Sequence, residues 1–128
     1  QVRTDKVLVA LTPEQWSSLR PVGQLRVDPI SFRRASATIS DQSQRDLLDL
    51  ARRLGSFPQF YLRAIGHARA EGDPEANRQL AQARAEAAAQ YLIAQGLPSE
   101  RIRTEAAPAT VADGEAQSVS FVVGQVPY

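Results

Sequence analysis

The stretch IGHARAEGDPEANRQLAQARAEAAAQYLIAQGLPSERI, residues 65–102, decides the fold. Gly66 to Gly72 reads as a loop, and Asp73 followed by Pro74 is a helix start: a side chain able to cap free N–H groups, then a residue whose fixed φ suits the first turn. Ala76, Leu80, Ala83, Ala87 and Tyr91 recur at helical spacing and give the expected apolar stripe. Gly96 stops the helix and Pro98 prevents its resumption. Before the loop, QFYLRAI alternates, with Phe60, Leu62 and Ala64 on one face and Tyr61, Arg63 and Ile65 on the other. After the helix, RIRTEA reads as another strand. The unit is strand, loop, long helix, strand.

Upstream, Ser40 caps a second helix in which Leu47, Leu50, Ala51 and Leu54 make one stripe, with Gly55 expected as its left-handed terminator. Leu25, Val27, Ile30 and Phe32 read as extended chain broken by Pro29, which cannot donate to a ladder, so this is an edge or bulged strand. LTPEQWSSLR opens a short helix, with Thr12 and Gln15 as a capping box and Pro13 at the first position. Trp16 lies on it with Leu11 and Leu19 and is expected to pack on the domain. AAPATVADGEAQ is a loop, and SVSFVVG a final strand. This order, βαβαββ, implies an α/β (α+β) sandwich: one mixed sheet with two main helices on one face. We divide the chain into a lead-in of residues 1–22 and a domain of residues 23–128.

The length of 128 residues suits one domain, and 43% hydrophobic residues suffice for a core. A formal net charge of +1 argues against nucleic acid or an anionic membrane as the main partner, since both select a basic surface. Cysteine is absent, which removes disulfides, thiolate chemistry and cysteine-based zinc sites. No apolar run approaches the roughly 20 residues of a membrane span. The chain begins at Gln1 and contains no Met, so we read it as a fragment or processed product whose membrane anchor or neighbouring domain would lie upstream.

Candidate site residues cluster around the loop. Arg84 stands among small residues on the inner part of the long helix, on one side with Asn77 and Leu80/Ala81. It admits two readings: a side chain whose stem packs on the sheet while its head reaches water, or a guanidinium held for bidentate contact with a carboxylate or phosphate. Arg69 lies in the loop that feeds the helix N-terminus. Free N–H groups there favour an anion by roughly 0.3–1 kcal/mol, so Arg69 opposes that field unless it pairs with Glu71, Asp73 or an external carboxylate. His67 is the only histidine. With no second metal ligand or nucleophile motif near it, a structural hydrogen bond within the loop is its expected role. No metal, cofactor or catalytic residue is expected, and the chain does not read as an enzyme.

The same residues carry a family resemblance. The segment resembles the OmpA-like C-terminal, peptidoglycan-associating domain, whose pattern runs roughly GHTDxxGxxxxNxxLSxxRAxAVxxYLxxxGIxxxRI. Gly66-His67-Ala68-Arg69, Gly72, Asn77, Leu80, Arg84-Ala85, Tyr91-Leu92, Gly96-Leu97 and Arg101-Ile102 fall at matching spacing. ISFRRASATIS and LLDLARRL are similar to the family's first strand and helix. The resemblance implies a periplasmic module of the Gram-negative envelope that grips the diaminopimelate of a peptidoglycan stem, an Asp holding its ammonium and an Arg its carboxylate. Arg84 matches that Arg. The Asp position is Arg69, a charge reversal, and Ser118-Val119-Ser120-Phe121 replace an NRRVE-type stretch, as in a divergent branch. The expected ligand set is Arg84, Arg69, Asn77, His67 and Asp73. The expected function is wall association through an altered site; the alternative is an anion-binding or protein-docking module that has lost peptidoglycan. The expected partner is a peptidoglycan stem or another anion, bound between Arg69 and Arg84. Any membrane contact would come through the upstream anchor.

Overall fold

The computed structural model of the protein describes residues 11–21, 29–32, 36–57, 60–68, 72–107 and 118–125. In chain order these form α1 (Pro13–Ser17), β1 (Arg20–Pro21), β2 (Ile30–Ser31), α2 (Asp41–Gly55), β3 (Phe60–Gly66), α3 (Pro74–Ala94), a 3-10 turn (Ser99–Arg101), β4 (Ile102–Ala106) and β5 (Ser118–Gln125). The mixed α/β arrangement expected from the sequence is the one observed, with β1 as an added short strand.

The last described strand, β5, is one of two interior strands, with β3 as the other. β5 lies antiparallel to β3, with Leu62 opposite Val123 and Ala64 opposite Phe121. On its other side it pairs with β1 and β2 together, Pro21 facing Gly124 and Ile30 facing Val119. The chain advances nine residues between Pro21 and Ile30 while β5 retreats five, so both segments follow one edge with four extra residues between them. This is the interrupted edge strand expected around Pro29; Leu25 and Val27 lie outside the described residues. β4 closes the other edge, parallel to β3, with Leu62 opposite Ile102. Such a parallel pair needs a crossover, and α3 supplies it.

Strand alternation sorts the side chains. Phe60, Leu62 and Ala64 of β3, with Val119, Phe121 and Val123 of β5, are buried in one core with Leu47, Leu50 and Leu54 of α2 and Ala85, Ala88 and Leu92 of α3. Fully burying each such Leu contributes about 1.5–3 kcal/mol. Helix α2 starts where expected, Ser40 Oγ accepting from the Ser43 N–H at 3.1 Å. It ends differently. Gly55 is helical, and the exit closes through Ser56 N–H to Arg53 O and Phe57 N–H to Leu54 O, so no left-handed residue is required. Gly96 does take that conformation, with φ of 109°, where α3 stops.

The buried face of α3 also differs from the expected stripe. It comprises Ala81, Arg84, Ala85, Ala88, Ala89 and Leu92, whereas Leu80, Ala83, Ala87 and Tyr91 are half-buried and Ala76 is exposed. Alanine recurs all round this helix, so its hydrophobic contrast is low. The face turned inward contains an arginine, which any count of apolar residues assigns to the outside.

The close seating of α3 depends on Gly66. A Cβ built there would overlap the Ala81 carbonyl oxygen, and would lie 2.7 Å from its carbon and 3.2 Å from the Ala85 nitrogen. Backbone meets backbone, with no flexible side chain able to yield.

The opposite face of the sheet carries α1. Its capping box forms as expected, with Thr12 N–H donating to Gln15 Oε1 and Gln15 N–H to Thr12 Oγ1. Trp16 is buried and meets Tyr61 edge-on, ring centroids 5.7 Å apart. Beside it Arg63 donates Nε and one Nη to the two oxygens of Glu105, both at 2.8 Å.

Two stability outcomes follow from this packing. Leu92→Ala should cost about 2–5 kcal/mol, as a large-to-small change at a fully buried site, and Leu80→Ala about 1 kcal/mol, the ordinary value for a less buried residue. Denaturant titration of the pair checks which face is inside; equal losses would contradict the packing. Gly66→Ala should destabilise at or above the upper end of the about 1–3 kcal/mol usual for overpacking, with unfolding midpoints as the readout.

Candidate functional site at the end of the third strand

Strand β3 ends at Gly66, and α3 begins at Pro74. His67 N–H donates to Ser118 O, and Ala107 N–H to Gly66 O, both at 2.9 Å, so the loop leaves from a strand end held on both sides. His67 Nε2 is 2.9 Å from Ser120 Oγ, the structural hydrogen bond expected of it, made to β5 rather than within the loop. At the far end Asp73 caps α3: its carboxylate accepts from Glu75 N–H at 3.2 Å and its carbonyl from Asn77 N–H at 3.0 Å. Gly72 enters the cap with φ of 94°, a conformation open to glycine without strain. Asn77 is half-buried in the first turns. Arg69 and Glu71 lie outside the described residues.

Arg84 is fully buried, with 0% of its surface exposed. Its head does not reach water along the stripe's edge. Nε donates to Ser36 O at 2.8 Å, one Nη to His67 O at 2.9 Å, and the guanidinium carbon stands 5.5 Å from the centre of the Phe32 ring. Three chain segments meet on it: the stretch after β2, the end of β3, and α3. Burial pushes its pKa down from the usual arginine value. An arginine nevertheless stays protonated, so a positive charge is fixed at the His67 carbonyl, just past the end of β3.

The structure thus joins the expected site residues in two groups. Arg84 and His67 meet through the His67 carbonyl, and Asp73 and Asn77 meet through the first turn of α3. Sequence reasoning missed the partners of Arg84. Ser36 contributes only a carbonyl, which no side-chain pattern reveals, and Phe32 was read only as a strand residue.

It also missed Arg101. This side chain is 4% exposed and donates Nε to Phe60 O at 2.8 Å and one Nη to Phe57 O at 2.7 Å and Leu54 O at 3.2 Å. It ties the end of α2 to the start of β3, as Arg84 ties the end of β3 to the chain after β2. Its burial likewise lowers its pKa. A charged residue at a fixed place in the matched spacing, just before a strand, was the available signal.

Among the described residues no group of three or more His, Asp or Glu could hold a metal ion, and no helix is long and apolar enough to cross a membrane.

The chain is 31% identical over 96 residues to the probable lipoprotein YiaD of Escherichia coli (strain K12), covering 70% of this chain and 44% of that protein. It is 36% identical over 77 residues to the peptidoglycan-associated lipoprotein of Brucella melitensis, covering 60% and 46%. It therefore spans less than half the length of these relatives. Among solved structures, the peptidoglycan-associated lipoprotein from Burkholderia pseudomallei superposes with a TM-score of 0.69 at 26% identity, over 74% of this chain and 88% of that one. The C-terminal domain of Helicobacter pylori MotB gives 0.67 at 17% identity, over 78% and 86%, a likeness of fold alone. The OmpA family model matches residues 31–119, from β2 to the start of β5 and across both buried arginines, and the chain belongs to that family.

Proposed function

We propose that this domain is a non-enzymatic module that associates with peptidoglycan in the periplasm, through a diaminopimelate site altered by Arg69. The observation that carries the reading is Arg84. It occupies the place of the arginine in the family's LSxxRA motif and fixes a positive charge under the loop that begins at His67. Two relatives support the wall as the target, since they are named as peptidoglycan-associated lipoproteins.

The alteration has a definite sign. An ammonium group facing Arg69 loses an ion pair and meets a like charge, and differences of this kind between partly desolvated groups amount to several kcal/mol. The carboxylate end of the ligand keeps its favourable field. The domain should therefore hold peptidoglycan weakly through the anionic part of the stem.

Arg84→Ala is a poor test of binding. It strands the Ser36 and His67 carbonyls, at about 1–3 kcal/mol for each buried group left without a partner, and so confounds binding with folding. Arg69→Asp is the cleaner change. Sedimentation with purified diaminopimelate-type sacculi should show weak binding by the unmodified domain and stronger binding by Arg69→Asp, with thermal melts confirming that both are folded. Tight binding by the unmodified domain that Arg69→Asp abolishes would overturn the altered-site reading. No binding by either protein would overturn wall association.

A further inference from the structure

The face of the sheet away from the two long helices carries a second feature. Trp16 and Ser17 of α1, Arg63 of β3, and Arg103 and Glu105 of β4 line an open groove of about 410 Å³. It lies across the sheet from the Arg84 side, because Arg63, Arg103 and Glu105 alternate with the core-facing Leu62, Ala64, Ile102 and Thr104.

Two cations share one anion here. Arg63 takes both oxygens of Glu105 at 2.8 Å, which uses the carboxylate's bidentate face. Hydrogen bonding to Arg63, ahead of charge attraction, lowers the Glu105 pKa, so this carboxylate stays ionised and committed. Arg103 is left with a 3.8 Å approach of its Nε to the same Glu105 oxygen, beyond hydrogen-bond length. Its side chain makes no hydrogen bond among the described residues. Its side chain is 39% exposed, and the groove holds one net positive charge.

The walls complete the description. Trp16 lines the groove with a mostly buried indole packed on Tyr61, an apolar surface beside the charge. Ser17 directs its hydroxyl hydrogen to Pro13 O at 3.1 Å, leaving its oxygen as an acceptor. An exposed planar donor fork in one groove with an aromatic ring suits a small carboxylate with an apolar body.

We propose that this groove is a second ligand site, separate from the loop site, and that it takes the free C-terminal carboxylate of a short peptide. Arg103 receives the carboxylate, Trp16 bounds the residue that bears it, and the Arg63–Glu105 pair forms the polar floor. Glu105 sets the affinity by competing with the ligand for guanidinium donors.

Trp16 is the single tryptophan of the chain, so its fluorescence reports the groove directly. The probe is N-acetyl-alanyl-alanine, with its C-terminal amide as the uncharged control at matched ionic strength. The acid should give a saturable change in Trp16 emission at millimolar concentration, and the amide should not. Arg103→Gln should weaken the acid at least tenfold. Its melting temperature should stay near that of the unmodified protein, since Arg103 makes no hydrogen bond to lose. Glu105→Gln should bind the acid several-fold more tightly, by releasing Arg63 as a second donor. Equal responses to acid and amide, no saturable response to either, an unchanged affinity in Arg103→Gln, or weaker binding in Glu105→Gln would each overturn the proposal. Because the probe carries no diaminopimelate, these outcomes are independent of sacculus binding.

Discussion

The approach of β3 to α3 at Gly66 and Ala81 is the constraint on which the rest of the structure depends. A helix seated backbone-to-backbone on a strand leaves no room for ordinary side chains between them. The buried face of α3 is accordingly built mostly from alanines, with Arg84 and Leu92 as its two large residues. Interiors are packed to crystal-like density, so this one close approach dictates the sizes along a whole helix face. Arg84 is buried beside this approach by reaching beyond the strand end, where its head meets Phe32, Ser36 and His67.

Arg84 and Arg101 answer a common problem. Chain leaving a strand or helix carries carbonyls that lack ladder partners, and a buried carbonyl without a donor is costly. A guanidinium offers five N–H groups in a planar fork and can serve several such carbonyls at once. Arg101 serves Leu54, Phe57 and Phe60 where α2 hands over to β3; Arg84 serves Ser36 and His67 at the opposite end of that strand. The central β3 is thus secured at both ends by buried cations. At the His67 end the cation is also the residue on which the proposed function rests, so one side chain joins the architecture to the proposed chemistry.

Much of this was legible in the residues. Strand alternation from Phe60 to Ile65, the caps at Thr12, Ser40 and Asp73, and the stop at Gly96 all follow local rules that depend on few neighbours, and each is found in the structure. Two local readings failed for physical reasons. Gly55 had the identity of a helix terminator, but the route from Ser56 to Phe57 closes without a positive φ. The inner face of α3 was misassigned because alanine gives hydrophobicity little contrast and the deciding buried residue is charged. Of the site, His67, Asp73 and Arg84 were visible as residue types. The carbonyl partners of Arg84 were not, since backbone oxygens leave no trace in a sequence. The groove beside Trp16 needed the register of β3 against β4, which sets Arg63, Arg103 and Glu105 side by side.

The position of β5 has a consequence for how the chain reaches this state. It is the last described strand, yet it holds β1, β2 and β3 together, pairing residues about one hundred positions apart, such as Arg20 with Gln125. A chain that has not yet delivered residues 118–125 can form α2, α3 and the β3–β4 pair, but β1 and β2 then have no strand to pair with. Contacts of such long sequence separation require loop closure before they return any stabilisation, which slows folding. The pairings of β5 are therefore expected to close after the β3–β4 pair. Until then the paired edge of β3 stands open, and a β-strand of another chain can occupy it.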